Sequence, residues 1–167
     1  MKERKTWFLP SVMTVLMVSQ IVLVFFLYNQ AGLEALRYVG WAILTVSAVF
    51  GWLPIFILRR KGGVPKGKSY VRTTVLVTSG IYAVVRHPQS GLAGILLSLG
   101  LILIAQNWVI AIIGVAAMVV VYLGTRQEDR YCVEKFGDDY RRYMERVPRL
   151  NALAGLARLA ARRQGES

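Results

Sequence analysis

The chain has 167 residues, is 55% hydrophobic and carries a net charge of +12. Its basic residues collect at Lys2, Arg4 and Lys5, at Arg59 to Arg72 and at Arg126 to Arg163, between long apolar blocks. No nucleic-acid reader motif accompanies that charge, so it reads as membrane topology and nucleic acid is excluded as a partner.

A length of 167 residues suits one domain, 1–167. The single cysteine, Cys132, rules out an intrachain disulfide. One cysteine and one histidine do not make a typical zinc site, so no metal is expected and any cofactor is organic.

Trp7 to Tyr28 holds no charged residue and is long enough for one span of a bilayer core about 30 Å thick. It is too long for a signal peptide, and no small-residue cleavage site follows it, so it reads as a retained helix. Pro10 stands in its first turn, where a missing N–H costs little. Gln20 reads as an interhelical hydrogen-bonding residue. Tyr38 to Leu58 is a second uncharged block, with Pro54 expected to kink its last turns. Residues 1–58 therefore form two N-terminal spans.

Residues 59–87 form a loop and connector. The loop is basic and broken by Gly62, Gly63, Pro65 and Gly67. Its charge reads as topology and attraction to anionic lipid. The following "VLVTSGIYAVV" is open to a strand-like or an irregular reading.

From His87 to Thr125 there is no Asp, Glu, Lys or Arg. This block is nearly twice a span, so it must fold back into a hairpin over 88–125. Pro88 is a helix start signal, and span three runs to about Ala105. Gln106 to Trp108 is the polar break. Span four runs from about Val109 to Gly124, with Trp108 and Tyr122 at the interfaces. Gly91, Gly94, Gly100, Gly114 and Gly124 are read as positions of close helix approach.

Residues 126–167 mix acidic, basic and aromatic side chains. Glu128 to Lys135 has helical character and Gly137 is a terminator. Asp138 or Asp139 is expected to cap a short helix through Tyr143. "NALAGLARLAARRQ" is a basic amphipathic segment suited to the membrane surface. The fold class is thus an all-α integral membrane protein, with about four transmembrane helices and short cytoplasmic helices. Four spans put all three basic clusters on one side, which sets both termini in the cytoplasm.

The one histidine sits in "GIYAVVRHPQSG", at the rim of span three. By themselves Arg86 and His87 read as an anchor and an interfacial polar residue. Likewise Glu128 and Asp129 by themselves read as a solvated face paired with Arg126 and Arg130. Tyr131, Tyr140 and Tyr143 divide evenly between interfacial anchoring and a pocket, and Cys132 reads as buried and inert.

The ordered set changes that weighing. Gly80-Ile81-Tyr82, Arg86-His87-Pro88, a membrane hairpin, Glu128-Asp129, Phe136-Gly137, Tyr140, Tyr143 and Val147-Pro148-Arg149 follow one another. Over roughly Thr74 to Leu150 this resembles the isoprenylcysteine carboxyl methyltransferase family, a superfamily that includes the small phospholipid N-methyltransferases. The chain departs from the family pattern at Ile81 for Pro, Ser90 for Tyr and Asp129 for the second Glu.

The resemblance implies S-adenosyl-L-methionine as methyl donor, at the cytoplasmic face, and a lipid-like acceptor entering sideways from the membrane. It implies cofactor contacts from Tyr82, Arg86, His87, Pro88, Gln89, Ser90, Glu128 and Asp129. It implies catalytic roles for Arg86, His87 and Arg149, and substrate contacts from Tyr140, Tyr143 and Arg149. The first turn of a helix at Pro88 suits a carboxylate, and Arg86 adds a charge-assisted bond. Asp129 projects about a quarter-turn from Glu128, so the two need not share a role. The tail motif favours the carboxylate of an isoprenylcysteine-type acceptor, with an aminophospholipid nitrogen as the alternative. A coupled transporter would need an ionisable residue within a span, and the four spans hold no Asp, Glu, Lys or Arg. A non-catalytic membrane scaffold is the remaining reading, and it predicts no cofactor binding.

Overall fold

Each apolar block folds as a helix, because a backbone in hydrocarbon must satisfy its own N–H and C=O groups. The computed structural model describes residues 4–165. Lys2, part of the first basic cluster, lies outside the described residues, as do the side chains of Arg4, Lys5, Trp7, Arg162 and Arg163. The helices are α1 (Arg4–Phe26), α2 (Glu34–Lys61), α3 (Gly94–Ala105), α4 (Trp108–Phe136), α5 (Asp138–Arg146) and α6 (Ala152–Gly165). A 3-10 turn occupies Gly80–Ala83, and a π turn over Pro88–Ala93 leads into α3. Four apolar helices, Phe8–Phe26, Glu34–Lys61, Pro88–Ala105 and Trp108–Phe136, are long enough to span a membrane, which fits an integral membrane protein. Among the described residues there is no strand, so the connector after the basic loop is irregular apart from its 3-10 turn.

The hairpin α3–α4 is central. α2 packs along α3 and the π turn, while α1 packs along α4 and touches α3. Gly40, Ser47 and Pro54 are the buried residues of α2, seven apart, and make one seam. A Cβ on Gly40 would stand 2.8 Å from Ile104 and 2.9 Å from the Gly100 carbonyl. A Cβ on Gly100 would stand 2.6 Å from Leu44. Small residues let backbones approach and gain dispersion contacts where lipid offers no hydrophobic drive. Ser47 closes the seam by donating to the Ala93 carbonyl at 2.8 Å.

On the other flank Gln20 is fully buried and donates to the Ser98 carbonyl at 3.0 Å, across from α1 to α3. A Cβ on Gly114 would lie 2.5 Å from the Gln20 amide nitrogen, so that glycine makes room for the polar side chain. At the end of the bundle away from the basic loop, the two hairpin turns are tied together. Gln106 accepts from Leu33 N–H and donates to Leu33 C=O, both at 2.8 Å. Asn107 caps α4 by accepting from Val109 N–H at 2.8 Å. The polar break in the sequence is thus a clamp and a cap.

Three expectations need correction. α4 does not end near Gly124 but continues unbroken to Phe136. No Gly or Pro interrupts residues 125–136, so the change to charged residues at Arg126 marks the edge of the apolar stretch and not of the helix. Gly124 is not a close-approach position, since a Cβ there would meet nothing within 4 Å. Neither Asp138 nor Asp139 caps α5. Gly137, at φ 59°, ends α4, and both aspartates fall in the first turn of α5, where they favour the helix dipole without a cap bond.

Filling the α2–α3 seam is expected to destabilise the bundle. Gly40→Leu should lower the thermal midpoint of the detergent-solubilised protein, an overpacking cost of about 1–3 kcal/mol. Size-exclusion chromatography after stepwise heating reads this out directly.

Candidate functional site

The site assembles where the connector, the start of the third span, α4 and the C-terminal helices meet. Gly80, at φ 66°, lets the chain turn into the 3-10 segment. Val84 and Val85 then donate to the Ile81 carbonyl, and Val85 is fully buried. This fixes Arg86 and His87. Their backbone N–H groups donate to Pro148 (3.1 Å) and Arg149 (3.3 Å) carbonyls. The Arg-His-Pro and Val-Pro-Arg motifs, some sixty residues apart in sequence, are therefore paired through the backbone. Leu92 N–H donates to His87 C=O at 2.9 Å, which defines the π turn. Such turns are frequent at functional sites.

Asp129 is the electrostatic centre. Its side chain is 4% exposed. One oxygen accepts from Arg86 Nη1 (3.2 Å), His87 Nε2 (2.7 Å) and the Tyr140 hydroxyl (2.7 Å). The other accepts from Arg149 Nε at 2.7 Å. Glu128 stands about 100° further round the helix. Its side chain is 44% exposed, accepts from Ser90 at 2.6 Å, and lies 3.1 Å from His87 Nδ1. Both ring nitrogens of His87 thus face carboxylates, an arrangement that suits the imidazolium. Burial opposes the charged ring, but the hydrogen bonds to Asp129 and Glu128 outweigh it and raise the His87 pKa above its ordinary 6.5. Burial, then the bond to Asp129, pushes the Tyr140 hydroxyl up, so it remains a donor. Burial also raises Tyr82 and Tyr143. Tyr143 donates to the Tyr82 carbonyl at 2.6 Å, tying α5 to the 3-10 turn.

Against this cluster lies a cavity of about 410 Å³, within the range of small-molecule sites. Of the residues expected at the site, Tyr82, Arg86, His87, Pro88, Gln89, Ser90, Glu128, Tyr140 and Tyr143 line it. Asp129 and Arg149 do not. They stand behind the wall, holding Arg86 and His87 in place. The basic loop and the start of the connector contribute more than topology, because Tyr70, Val71, Thr73, Val75, Leu76 and Val77 line the cavity. Gln89 donates to the Tyr70 hydroxyl at 2.9 Å, and Lys135 donates to the Thr73 carbonyl at 2.6 Å. The aromatic Tyr70 next to the glycine-broken stretch was the available sequence signal for this lining. Cys132 is half-buried on the cavity wall and not simply a core filler.

These features define a helical membrane protein with a charged, partly open site at the end where α4 leaves its apolar stretch. The family model described as phospholipid methyltransferase matches residues 36–139, more than half of the chain. The protein belongs to that family and is by that membership a membrane methyltransferase. No curated protein and no solved structure gives a match.

Two outcomes follow from the cluster. Asp129→Asn removes the counter-charge of Arg86, His87 and Arg149 without changing volume, and should destabilise the fold by roughly 3–5 kcal/mol in chemical unfolding. His87 has its folded pKa raised, so its contribution is fully present below about pH 6.5, the unfolded value, and is lost as pH rises through the higher folded value. Thermal midpoints measured across that interval should fall with pH in the wild type, and His87→Gln should flatten the decline.

Proposed function

We propose that the protein transfers a methyl group from S-adenosyl-L-methionine to a membrane lipid at its cytoplasmic face. The observation that carries this reading is the cavity that gathers Tyr82, Arg86, His87, Gln89, Ser90 and Glu128 in a chain of this family. The residues fit such a donor. Glu128 offers an exposed carboxylate to an ammonium or hydroxyl group, Gln89 and Ser90 offer polar atoms, and Val75, Leu76 and Phe136 give an apolar wall. When bound, the donor supplies an activated sulfonium methyl. What remains for the protein is alignment, and positioning of this kind is worth roughly 7–11 kcal/mol. Asp129 and Arg149 serve it indirectly, by fixing Arg86 and His87. His87 has no unshared ring nitrogen in this arrangement and acts as a charged pin between two carboxylates, not as a base.

For the acceptor we infer an aminophospholipid nitrogen. Glu128 is the carboxylate that lines the cavity, beside the cations Arg86 and Lys135. It attracts an amine headgroup and, being exposed, passes to solvent the proton that the ammonium must lose before its nitrogen attacks the methyl carbon and the C–S bond breaks. Arg86 and Arg149, which would have welcomed a carboxylate, each give one nitrogen to Asp129, and Arg149 does not line the cavity. The isoprenylcysteine-type carboxylate remains the second reading, favoured by the ordered Phe-Gly and Val-Pro-Arg tail. The cytoplasmic orientation rests on the basic residues around the site, from Arg59 to Arg72 and from Arg126 onward.

Purified protein should bind S-adenosyl-L-methionine in calorimetry, and Glu128→Ala should weaken binding about tenfold, the loss of one charge-assisted bond. Labelled methyl should then enter aminophospholipids in preference to lipid acids. Absence of binding by folded wild type would sink the methyltransferase reading and leave the scaffold.

A further inference from the structure

A second cavity, of about 340 Å³, lies between α1 and α4. Its walls are apolar along most of their length, from Pro10 and Met13 on one helix and Val120 and Gly124 on the other. Its polar end is formed by Ser90 and Glu128. Met13, Ser90, Glu128 and Tyr131 line both this groove and the larger cavity. The two spaces therefore meet at the carboxylate assigned above to donor and headgroup.

Gly124 differs from the other hairpin glycines. Gly94, Gly100 and Gly114 each have a neighbour that a Cβ would press at 2.9 Å or less, whereas a Cβ on Gly124 would meet nothing within 4 Å. A helix-interior glycine costs stability relative to alanine, and here close packing does not account for it. What the missing side chain leaves is space in the groove. On the opposite flank α2 and α3 approach backbone to backbone at Gly40 and Gly100 and are joined by the Ser47–Ala93 hydrogen bond.

We propose that the groove between α1 and α4 holds one hydrocarbon tail of the methyl acceptor, and that Gly124 determines which tails fit. The proposal rests on the methyltransferase reading for its headgroup but not for its tail. The occupant follows from the walls. Two apolar, membrane-spanning helices bound the groove, and its one charged group stands at the end shared with the larger cavity. An apolar chain lying there delivers its polar head to Glu128, whereas a wholly polar ligand would find partners only toward Thr125, Gln127, Ser90 and Glu128 and none on Leu9, Pro10, Met13, Val120 and Val121.

The test uses the full chain in vesicles with a phosphatidylethanolamine that bears a diazirine midway along one acyl chain. Photolabelling of the unmodified protein should concentrate on residues 9–13 and 120–124, and Gly124→Leu should abolish that labelling. Labelling spread evenly over the outer faces of all four spans, unchanged by Gly124→Leu, would overturn the proposal. In labelled methyl transfer, Gly124→Leu should reduce methylation of dioleoyl phosphatidylethanolamine on the order of tenfold or more. The dihexanoyl analogue should lose far less, and donor affinity should stay within about twofold of wild type, the margin of an unaltered pocket. Equal long-chain rates in variant and wild type would also overturn it. Should Gly124→Leu fail to fold, Val120→Phe fills the same groove and carries both readouts. Failure of the wild type to bind the donor removes the methyltransferase reading, while the photolabelling pattern still decides the groove.

Discussion

The structure depends on one buried carboxylate. Asp129 is nearly sealed from solvent and accepts bonds from Arg86, His87, Tyr140 and Arg149. Those residues come from the turn before the third span, from α5 and from the segment after it. A buried charge is tolerated only when it is paired and fully hydrogen-bonded. The requirement runs both ways, since the cations need Asp129 as much as it needs them. The cluster thus holds separate pieces of chain in one arrangement, and the backbone pairing of Arg86 and His87 with Pro148 and Arg149 adds to the same constraint. The aromatic pair Tyr140 and Tyr143, edge to face at 5.6 Å, seals it from water.

Helix geometry points the two adjacent acidic residues in different directions, and their partners give them different work. One residue step turns the side chain by about 100°. Asp129 consequently faces inward and organises, while Glu128 faces the cavity and is available to ligands. His87 lies between them and transmits the organisation of the first to the orientation of the second. A continuous α4 is necessary for this arrangement. By carrying the helix past Thr125 without a break, the protein delivers both carboxylates to the rim in fixed register with the membrane hairpin.

The two flanks of the bundle are built differently. Along α2 and α3, glycine and serine let backbones meet, and the seam is closed. Along α1 and α4 the contact is firm at Gln20 and Gly114 but opens toward the site around Met13 and Gly124. The end distant from the site is clamped by Gln106 against Leu33. Rigidity at one end and room at the other open the site end of the bundle without loosening the fold.

The sequence by itself determined the number of spans, the helical class and the fold-back between Ala105 and Trp108. Long uncharged blocks leave a backbone no other way to satisfy its hydrogen bonds in hydrocarbon. The order of motifs also made most of the cavity's polar wall legible, from Tyr82 to Ser90 and at Glu128. Tertiary structure alone decided the rest. Which glycines are packed and which is open depends on the neighbouring helix, so Gly100 and Gly124 look alike in sequence and differ in space. The separate fates of Glu128 and Asp129 depend on what α5 and Arg149 bring up behind them. The cavity lining contributed by the basic loop and the start of the connector depends on contacts from Tyr70 and Thr73 to residues of the third span and α4. Each of these is a long-range encounter, and local propensity or hydropathy carries no record of it.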